Sequence, residues 1–225
     1  MIDIRVAATL AAITVVTFGA EGAGTSSRHG QILSTPAPAN TDSVRLVLAP
    51  EGNEARYRVR ERIARFEFPS DAVGATNDLT GTMVLDETGK VVAAESKFVV
   101  DLRTLKSGRD RRDRYLQRRT LETELYPTIE LVLTELPGLP FPLPESGAFS
   151  FELVGDMTLH GVTRQIGWQV TAEAKDGGFY GTATTSFTFD AFELTQPSMA
   201  MLLSVADTIR LEYDFHLIPD RSSGS

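Results

Sequence analysis

Apolar and polar residues alternate along most of the chain from Val44 to Leu217, in short runs that turn residues separate. The longest run starts at Phe149, where aromatic and aliphatic side chains occupy one phase and serine, glutamate and aspartate occupy the other. This period of two is that of a half-buried β-strand. The dipeptide His160-Gly161 follows and predicts a tight turn, because glycine adopts positive φ at little cost. We expect the next run to pair antiparallel with the first.

The alternating runs predict nine strands. They are Val44–Ala49, Ala55–Ile63, Leu79–Leu85, Val91–Val100, Thr128–Thr134, Phe149–His160, Gln165–Ala174, Phe179–Phe189 and Thr208–Leu217. Glycines inside several runs, such as Gly155 and Gly181, favour the strong coiling of a small barrel. A sheet with so many hairpins has to close or stack, because unpaired strand edges promote aggregation. The pattern therefore predicts an all-β fold.

One stretch, Ser107–Leu125, departs from the alternation. It is dense in charge and contains better helix formers than the strands do. Ser107 stands three residues before Asp110, a spacing that predicts an N-terminal cap. We therefore expect one short helix, laid across one end of the sheet.

The first 24 residues predict a signal peptide. Arg5 supplies a basic start, Val6–Phe18 is an uninterrupted run without charge, and small residues follow. An uncleaved anchor is the alternative, but this run of 13 residues is shorter than the roughly 20 that span a bilayer. Residues 25–43 predict a flexible linker, residues 44–218 the folded domain and residues 219–225 a disordered tail.

The composition narrows the class of protein. The chain has 225 residues, of which 42% are hydrophobic, so it can bury one sizeable core. The net charge of −8 argues against a general surface for nucleic acid or anionic membranes, although a local basic patch exists. The absence of cysteine excludes disulfides, thiolate nucleophiles, cysteine-ligated metals and a lipoprotein anchor, without fixing the compartment.

The basic patch coincides with the predicted helix. Its members are Arg109, Arg111, Arg112, Arg114, Arg118 and Arg119. Guanidinium groups bind phosphate and carboxylate, which suggests that one or two of them hold an anionic head group. For most members the favoured interpretation is a solvated helix face, paired internally with the four carboxylates of the same stretch, in which Arg112 and Asp113 have structural roles.

Four stretches together resemble the successive motifs of the YceI-like family. They are VVDLRTLKSG from Val99, RDRYL from Arg112, LYPTI from Leu125 and GDMTLHGVTR from Gly155. The resemblance implies a lipocalin-like eight-stranded antiparallel β-barrel with one short helix, exported to the bacterial periplasm, with polyisoprenoid or other amphiphilic chains bound in a tunnel. With nine candidate strands, one of them, Val44–Ala49, is then expected outside the barrel or at its edge.

A hollow barrel would offer an apolar lining to such a chain. The predicted ligand-binding residues are Phe98, Arg112, Arg114, Leu116, Phe151, Leu153, Met157, Trp168, Phe187, Phe189 and Phe192. Tyr213 and Phe215 are further interior candidates. Burial of each methylene group contributes about 0.8 kcal/mol, so a prenyl chain needs no catalytic group to be held. For any one of these aromatic residues, an ordinary core position is the alternative.

Other chemistry has little support in the sequence. His160 lies in the GDMTLHG motif, where it is either an acid or base or a histidine that holds the turn by hydrogen bonds, and the second reading is favoured. The three histidines show no metal-ligand spacing, and no G-x-S-x-G motif occurs. We therefore predict no catalytic residue, no metal and no cofactor other than the ligand itself.

These observations predict an exported protein, periplasmic or secreted, that sequesters or carries an isoprenoid lipid or quinone. Its expected partners are that small molecule and, transiently, a membrane, with no nucleic acid, and its expected state is a monomer or homodimer. Two alternatives stay open. A barrel used as a substrate pocket by an enzyme requires convergent ionisable groups inside, whereas a stress-related interaction module requires a packed interior and an exposed apolar patch.

Overall fold

The computed structural model describes residues 43–64, 67–198 and 200–220. The predicted signal peptide (1–24) and all but the last residue of the predicted linker (25–43) lie outside the described residues. So do the last five residues of the predicted tail.

The described residues form ten strand segments and one short α-helix. The segments are β1 (Val44–Leu48), β2 (Glu54–Ile63), β3 (Ser70–Thr76), β4 (Leu79–Leu85), β5 (Lys97–Asp101), β6 (Thr128–Glu135), β7 (Gly147–Leu159), β8 (Val162–Lys175), β9 (Gly178–Thr188) and β10 (Leu202–Pro219). The helix α1 (Asp110–Tyr115) continues into a π-turn (Leu116–Thr120), and 3₁₀ turns occur at Ala93–Glu95, Leu102–Thr104 and Phe189–Phe192.

These segments close into an eight-stranded antiparallel barrel. The ladder runs β1-β4-β5-β6-β7-β8-β9-β10, and β10 pairs back with β1. β1 and β2 together form one wall strand, and both parts pair with β10. β3 and β4 together form the neighbouring wall strand, in which β3 pairs with β2 and β4 pairs with β1. Ten segments therefore amount to eight wall strands, as the family resemblance implies.

The expectation that Val44–Ala49 lies outside the barrel or at its edge is wrong. Leu46 in β1 faces Met83 of β4 on one side and Pro219 of β10 on the other, so β1 completes the wall. The chain bends between β1 and β2, where the Asn53 side chain donates to the Ala49 carbonyl (2.7 Å) and accepts from the His216 amide. Because this bend interrupts the alternation, one wall strand resembles two strands in the sequence.

The segment β3 is missing from the nine predicted strands. Its sequence, SDAVGAT, is short and poor in large apolar residues. Gly74 explains part of this, because a Cβ atom there would lie 2.4 Å from the ring of Tyr57. Small residues here make room for a neighbouring aromatic ring, which no local pattern reveals.

The predicted helix exists, but its predicted cap does not. Arg109 is the N-cap residue of α1, and its side chain makes no capping bond. Instead the buried Asp113 carboxylate accepts hydrogen bonds from the amide (3.0 Å) and hydroxyl (2.5 Å) of Ser107. The serine is therefore held by the helix rather than capping it, and this contact ties the preceding loop to α1.

The C-terminal boundary also differs from the prediction. β10 continues to Pro219, and the Asp220 amide donates to the Arg45 carbonyl (2.9 Å). Pro219 and Asp220, which the prediction placed in the tail, therefore belong to the folded domain. Pairing with β1 extends the last strand beyond the end of its clear alternation.

The barrel has two distinct ends. The helix end carries α1 with its π-turn, the β7–β8 turn, the 3₁₀ turn Phe189–Phe192 and the start of β10. The proline end carries the β1–β2 bend, the β8–β9 turn and the loop 136–146 between β6 and β7. The fully buried residues include Leu46, Leu85, Leu133, Met157 and Phe192.

Candidate ligand-binding cavity

A cavity extends through the interior of the barrel. It extends from Leu139 and Leu143 in the loop at the proline end to Arg112 and Pro197 at the helix end. Its volume is about 210 Å³. Every wall strand contributes side chains to it, almost all of them apolar.

The inward-facing side chains confirm that the barrel is hollow. In a packed barrel the residues in the inward phase fill the interior. Here Leu131, Phe151, Leu153 and Leu211 face inward and line the cavity, yet they are only half-buried. The accessible surface that they retain is therefore surface facing the cavity, which a packed interior would not leave.

Nine of the eleven predicted ligand-binding residues line this cavity. They are Phe98, Arg112, Leu116, Phe151, Leu153, Met157, Trp168, Phe187 and Phe189. Tyr213 and Phe215 line it as well. Phe192 does not reach it, because its fully buried ring packs edge-on against Phe187, with 4.7 Å between the centroids. Arg114 is exposed on the outer side of α1 and does not line the cavity.

Other residues line the cavity but were not among the predicted ligand-binding residues. Tyr57, Ile129 and Leu211 stand in the inward phase of predicted strands, so the alternation could have identified them. Leu139 and Leu143 could not be identified, because the proline-rich loop has no period that indicates which side chains turn inward.

The helix end of the cavity contains a buried ion pair. Nη2 of Arg112 lies 2.5 Å from Oε1 of Glu61, and these side chains are only 14% and 10% exposed. Among the described residues, Glu61 is the one hydrogen-bond partner of this guanidinium group. Beside it, burial raises the pKa of Tyr57 to about 12. The pair is neutral as a whole, while Arg112 retains N–H groups that are free to donate.

Four buried polar atoms in the cavity wall have no hydrogen-bond partner within the described chain. They are the Tyr57 and Tyr213 hydroxyls, Oγ1 of Thr120 and Nε1 of Trp168. Burial also raises the pKa of Tyr213 above its ordinary value, so both phenols remain protonated donors at neutral pH. Unpaired buried donors are costly and rare in proteins. These atoms have almost no surface open to the cavity either, so a guest could reach them only if neighbouring side chains move.

His160 lies outside the cavity. Its Nε2 atom is 2.9 Å from Oε2 of Glu122, and its ring packs on Tyr126 with 4.4 Å between the centroids. Its own φ is 54°, the left-handed conformation of a tight turn. These contacts match a turn-holding histidine rather than an acid or base acting on a guest.

The internal pairing expected for the arginine cluster is wrong. Arg109, Arg111, Arg114, Arg118 and Arg119 are exposed, and none has an ion-pair partner among the described residues. The carboxylates nearby are used elsewhere, since Asp113 binds Ser107 and Glu122 binds His160. The structural roles expected for Arg112 and Asp113 agree with their contacts to Glu61 and Ser107.

Within the described chain, no group of three or more histidine, aspartate or glutamate side chains is arranged to hold a metal ion. No helix in residues 43–64, 67–198 and 200–220 has the length and apolar character needed to cross a bilayer.

Comparison with known proteins gives one family and several similar structures. The model of the YceI-like domain family matches residues 47–217. No curated protein matches the chain. A polyisoprenoid binding domain from Saccharophagus degradans superposes with a TM-score of 0.61 at 12% identity, covering 79% of this chain and 99% of that one. Burkholderia cenocepacia BcnA gives a TM-score of 0.54 at 13% identity, with 73% and 95% covered.

The YCEI protein of Campylobacter jejuni is similar to the same degree. Its TM-score is 0.53 at 16% identity, and the alignment covers 72% of this chain and 91% of that one. At these identities the three solved structures show a shared fold.

Proposed function

The chain belongs to the YceI-like family, and on that premise we propose that it carries an isoprenoid lipid or quinone in the cavity of its barrel. The observation that supports this most directly is the apolar cavity that extends from one end of the barrel to the other. A prenyl chain placed there gains about 0.8 kcal/mol for each methylene removed from water. One solved structure with the same fold is itself described as a polyisoprenoid binding domain.

The helix end favours a polar but uncharged head group. Glu61 already neutralises Arg112, so a phosphorylated head would lie beside a carboxylate as well as a guanidinium group. The remaining Arg112 N–H groups suit carbonyl or hydroxyl oxygens instead. Within the proposal, a prenylated quinone therefore fits this end better than a prenyl diphosphate. The predicted role of Arg114 in holding the head group has no such support, because its side chain is exposed away from the cavity.

The proposal is carriage rather than chemical conversion. The histidine of the family motif is bound to Glu122 outside the cavity. At the helix end of the cavity, Arg112 and Glu61 are engaged with each other in an ion pair.

Export is part of the same proposal. The apolar run Val6–Phe18 is the sequence support for a periplasmic or secreted protein. If the full chain is expressed in a Gram-negative host, we expect a periplasmic product whose N-terminus follows one of residues 19–24. A product in the cytoplasm that retains Met1 would contradict export without affecting the binding proposal.

The binding proposal is tested by organic extraction of the purified protein, followed by mass spectrometry. We expect a prenylated compound at close to one equivalent. Leu153→Trp would fill the cavity, and the matched control is Glu152→Trp, whose side chain projects outward from the same strand. The first variant should lose the bound compound and the second should retain it. An empty wild-type extract, or equal retention by both variants, would overturn the proposal.

A further inference from the structure

Exposed apolar residues are concentrated at one end of the barrel. The described chain has five large hydrophobic side chains with high exposure, and they are Phe68, Leu125, Phe141, Met201 and Leu203. Four of them lie at the helix end, and Phe141, the least exposed at 37%, lies at the proline end. Single exposed hydrophobic residues are normal, but this distribution over the two ends is uneven.

Three of these residues form one apolar tip. Phe68 directly precedes β3, and Met201 and Leu203 flank the first residue of β10. The strands are joined there, because Leu202 pairs with Ile63 of β2 and the Ala64 amide donates to the Met201 carbonyl (3.0 Å). Phe68 is 73% exposed and Leu203 60% exposed. We call Phe68, Met201 and Leu203 the apolar tip.

The unpaired arginines lie on the same end. We call Arg109, Arg111, Arg114, Arg118 and Arg119 the arginine rim, because α1 and its π-turn also supply lining residues to the end of the cavity. In β2, by contrast, Arg56, Arg58 and Arg60 have carboxylate partners, although Arg62 of β2 and Arg164 of β8 have no ion-pair partner among the described residues. The same stretch contains four carboxylates, Asp110, Asp113, Glu122 and Glu124, and five arginines against four carboxylates leave an excess of one positive charge.

We propose that the helix end docks on the surface of an anionic phospholipid bilayer. The apolar tip enters the interface between head groups and acyl chains, and the arginine rim contacts lipid phosphates. The inference rests on the proposed function, because the docked end is the end at which the cavity reaches Arg112 and Pro197. A guest would then pass between bilayer and barrel without crossing water.

The net charge of −8 does not prevent this docking. β8 has 14 residues, which corresponds to roughly 35 Å of barrel height once strand tilt is included. The Debye length at physiological ionic strength is about 8 Å. Carboxylates at the proline end, such as Glu145 and Asp176, are therefore screened from a membrane at the helix end. An acidic protein surface would pair with the arginine rim, but it offers the apolar tip no layer of acyl chains to enter.

The test is co-sedimentation of the purified mature protein with vesicles. One vesicle preparation contains equal parts of phosphatidylglycerol and phosphatidylcholine, and the other contains phosphatidylcholine alone. We expect binding to the first that weakens with added salt, and little binding to the second. Free glycerophosphate at the same phosphate concentration should not displace the protein, because it lacks the acyl region that the tip enters.

Two variants separate the parts of the surface. Arg111→Gln with Arg114→Gln should lower the vesicle partition coefficient by about tenfold or more. Phe68→Ser with Leu203→Ser should lower it by a similar factor. The matched controls are Arg60→Gln on the outer wall, whose arginine pairs with Asp71, and Phe141→Ser at the proline end; both should bind as wild type does.

Absence of vesicle binding by the wild type would overturn the docking inference, as would equal losses in the test and control variants. Mass spectrometry of extracts from the same proteins distinguishes this failure from failure of the carrier proposal. Guest retained without vesicle binding would reject docking alone. Vesicle binding with an empty extract would reject carriage alone.

Discussion

Some residues in the cavity wall lower the stability of the folded protein. Tyr213 lies with its ring 6.2 Å from that of Phe98 and 6.0 Å from that of Phe215, and its hydroxyl has no partner in the described chain. A buried donor of this kind costs about 1–3 kcal/mol. Within the described residues nothing compensates that cost, so Tyr213 is a position where the folded protein can be made more stable.

Tyr213→Phe should therefore stabilise the protein once its guest has been extracted. We expect the free energy of unfolding in urea to rise by about 1 kcal/mol, because the variant no longer buries an unpaired hydroxyl. The control is Tyr180→Phe, whose ring stacks on His216 with 4.0 Å between the centroids. A destabilised Tyr213→Phe variant would show that the hydroxyl has a partner within the protein.

The Arg112–Glu61 pair should behave as a unit. Arg112→Met leaves the Glu61 carboxylate buried without its counter-charge, at an expected cost of about 3 kcal/mol. The double variant Arg112→Met with Glu61→Leu should recover most of that loss. Urea unfolding of the two single variants and the double variant measures the coupling. Additive losses would mean that the two side chains act independently.

At the scale of elements, an ion-pair ladder covers the outer face of β2, β3 and β10. Arg56 binds Asp214 (2.7 Å), Arg58 binds Glu212 (3.2 Å) and Arg60 binds Asp71 (3.1 Å). Hydrogen bonds from these arginines hold the pKa of each carboxyl group below its ordinary value. The ladder joins β2 to β10 and to β3, and its side chains are partly exposed to solvent.

This ladder gives stability a defined pH dependence. Carboxyl groups with a lowered pKa in the folded state contribute stability that is fully present above their unfolded pKa of about 4. That contribution is lost as the pH falls through the folded pKa. Urea unfolding should therefore show constant stability from pH 7 to about 5 and a decline below about 4. The variant Glu212→Gln with Asp214→Asn should decline less, and an unchanged slope would exclude these carboxylates as its source.

The bend between β1 and β2 depends on one buried side chain. Asn53→Ala removes the bonds to the Ala49 carbonyl and the His216 amide, so we expect a loss of about 1–3 kcal/mol. Thermal unfolding measures it. Glu51→Ala in the same bend is a suitable control, because its side chain is exposed and makes no bond within the described chain. Equal effects of the two variants would mean that the bend needs no side-chain support.

The sequence was informative about this molecule wherever inside and outside alternate. The long strands β7, β8 and β9 and the inward phase of Phe151 and Trp168 follow directly from that period. It was uninformative where contacts between distant segments decide the structure. The bend at Asn53, the strand around Gly74 and the pairing of Arg112 with a carboxylate 51 residues away all depend on such contacts.

At the scale of the whole molecule, a filled cavity should stabilise the barrel. A guest that binds only the folded state raises stability by about 2.7 kcal/mol at a hundredfold excess over its Kd. We expect extraction of the guest to lower the Tm and addition of a prenylated quinone to restore it. A saturated alkane of similar length should restore it less, because it has no oxygen to accept a hydrogen bond from Arg112. Equal recovery with both compounds would argue that Arg112 does not select the guest.

The loop at the proline end has a consequence for the range of guests. Leu139 and Leu143 lie at the end of the cavity opposite Arg112, and the Glu152 amide fixes the loop by donating to the Pro137 carbonyl (2.9 Å). With the head group at Arg112 and the tail directed toward these leucines, the separation of the two ends sets an upper limit on tail length. Among prenyl homologues the barrel would then discriminate by the number of isoprene units, and shortening Leu143 would admit the next longer homologue.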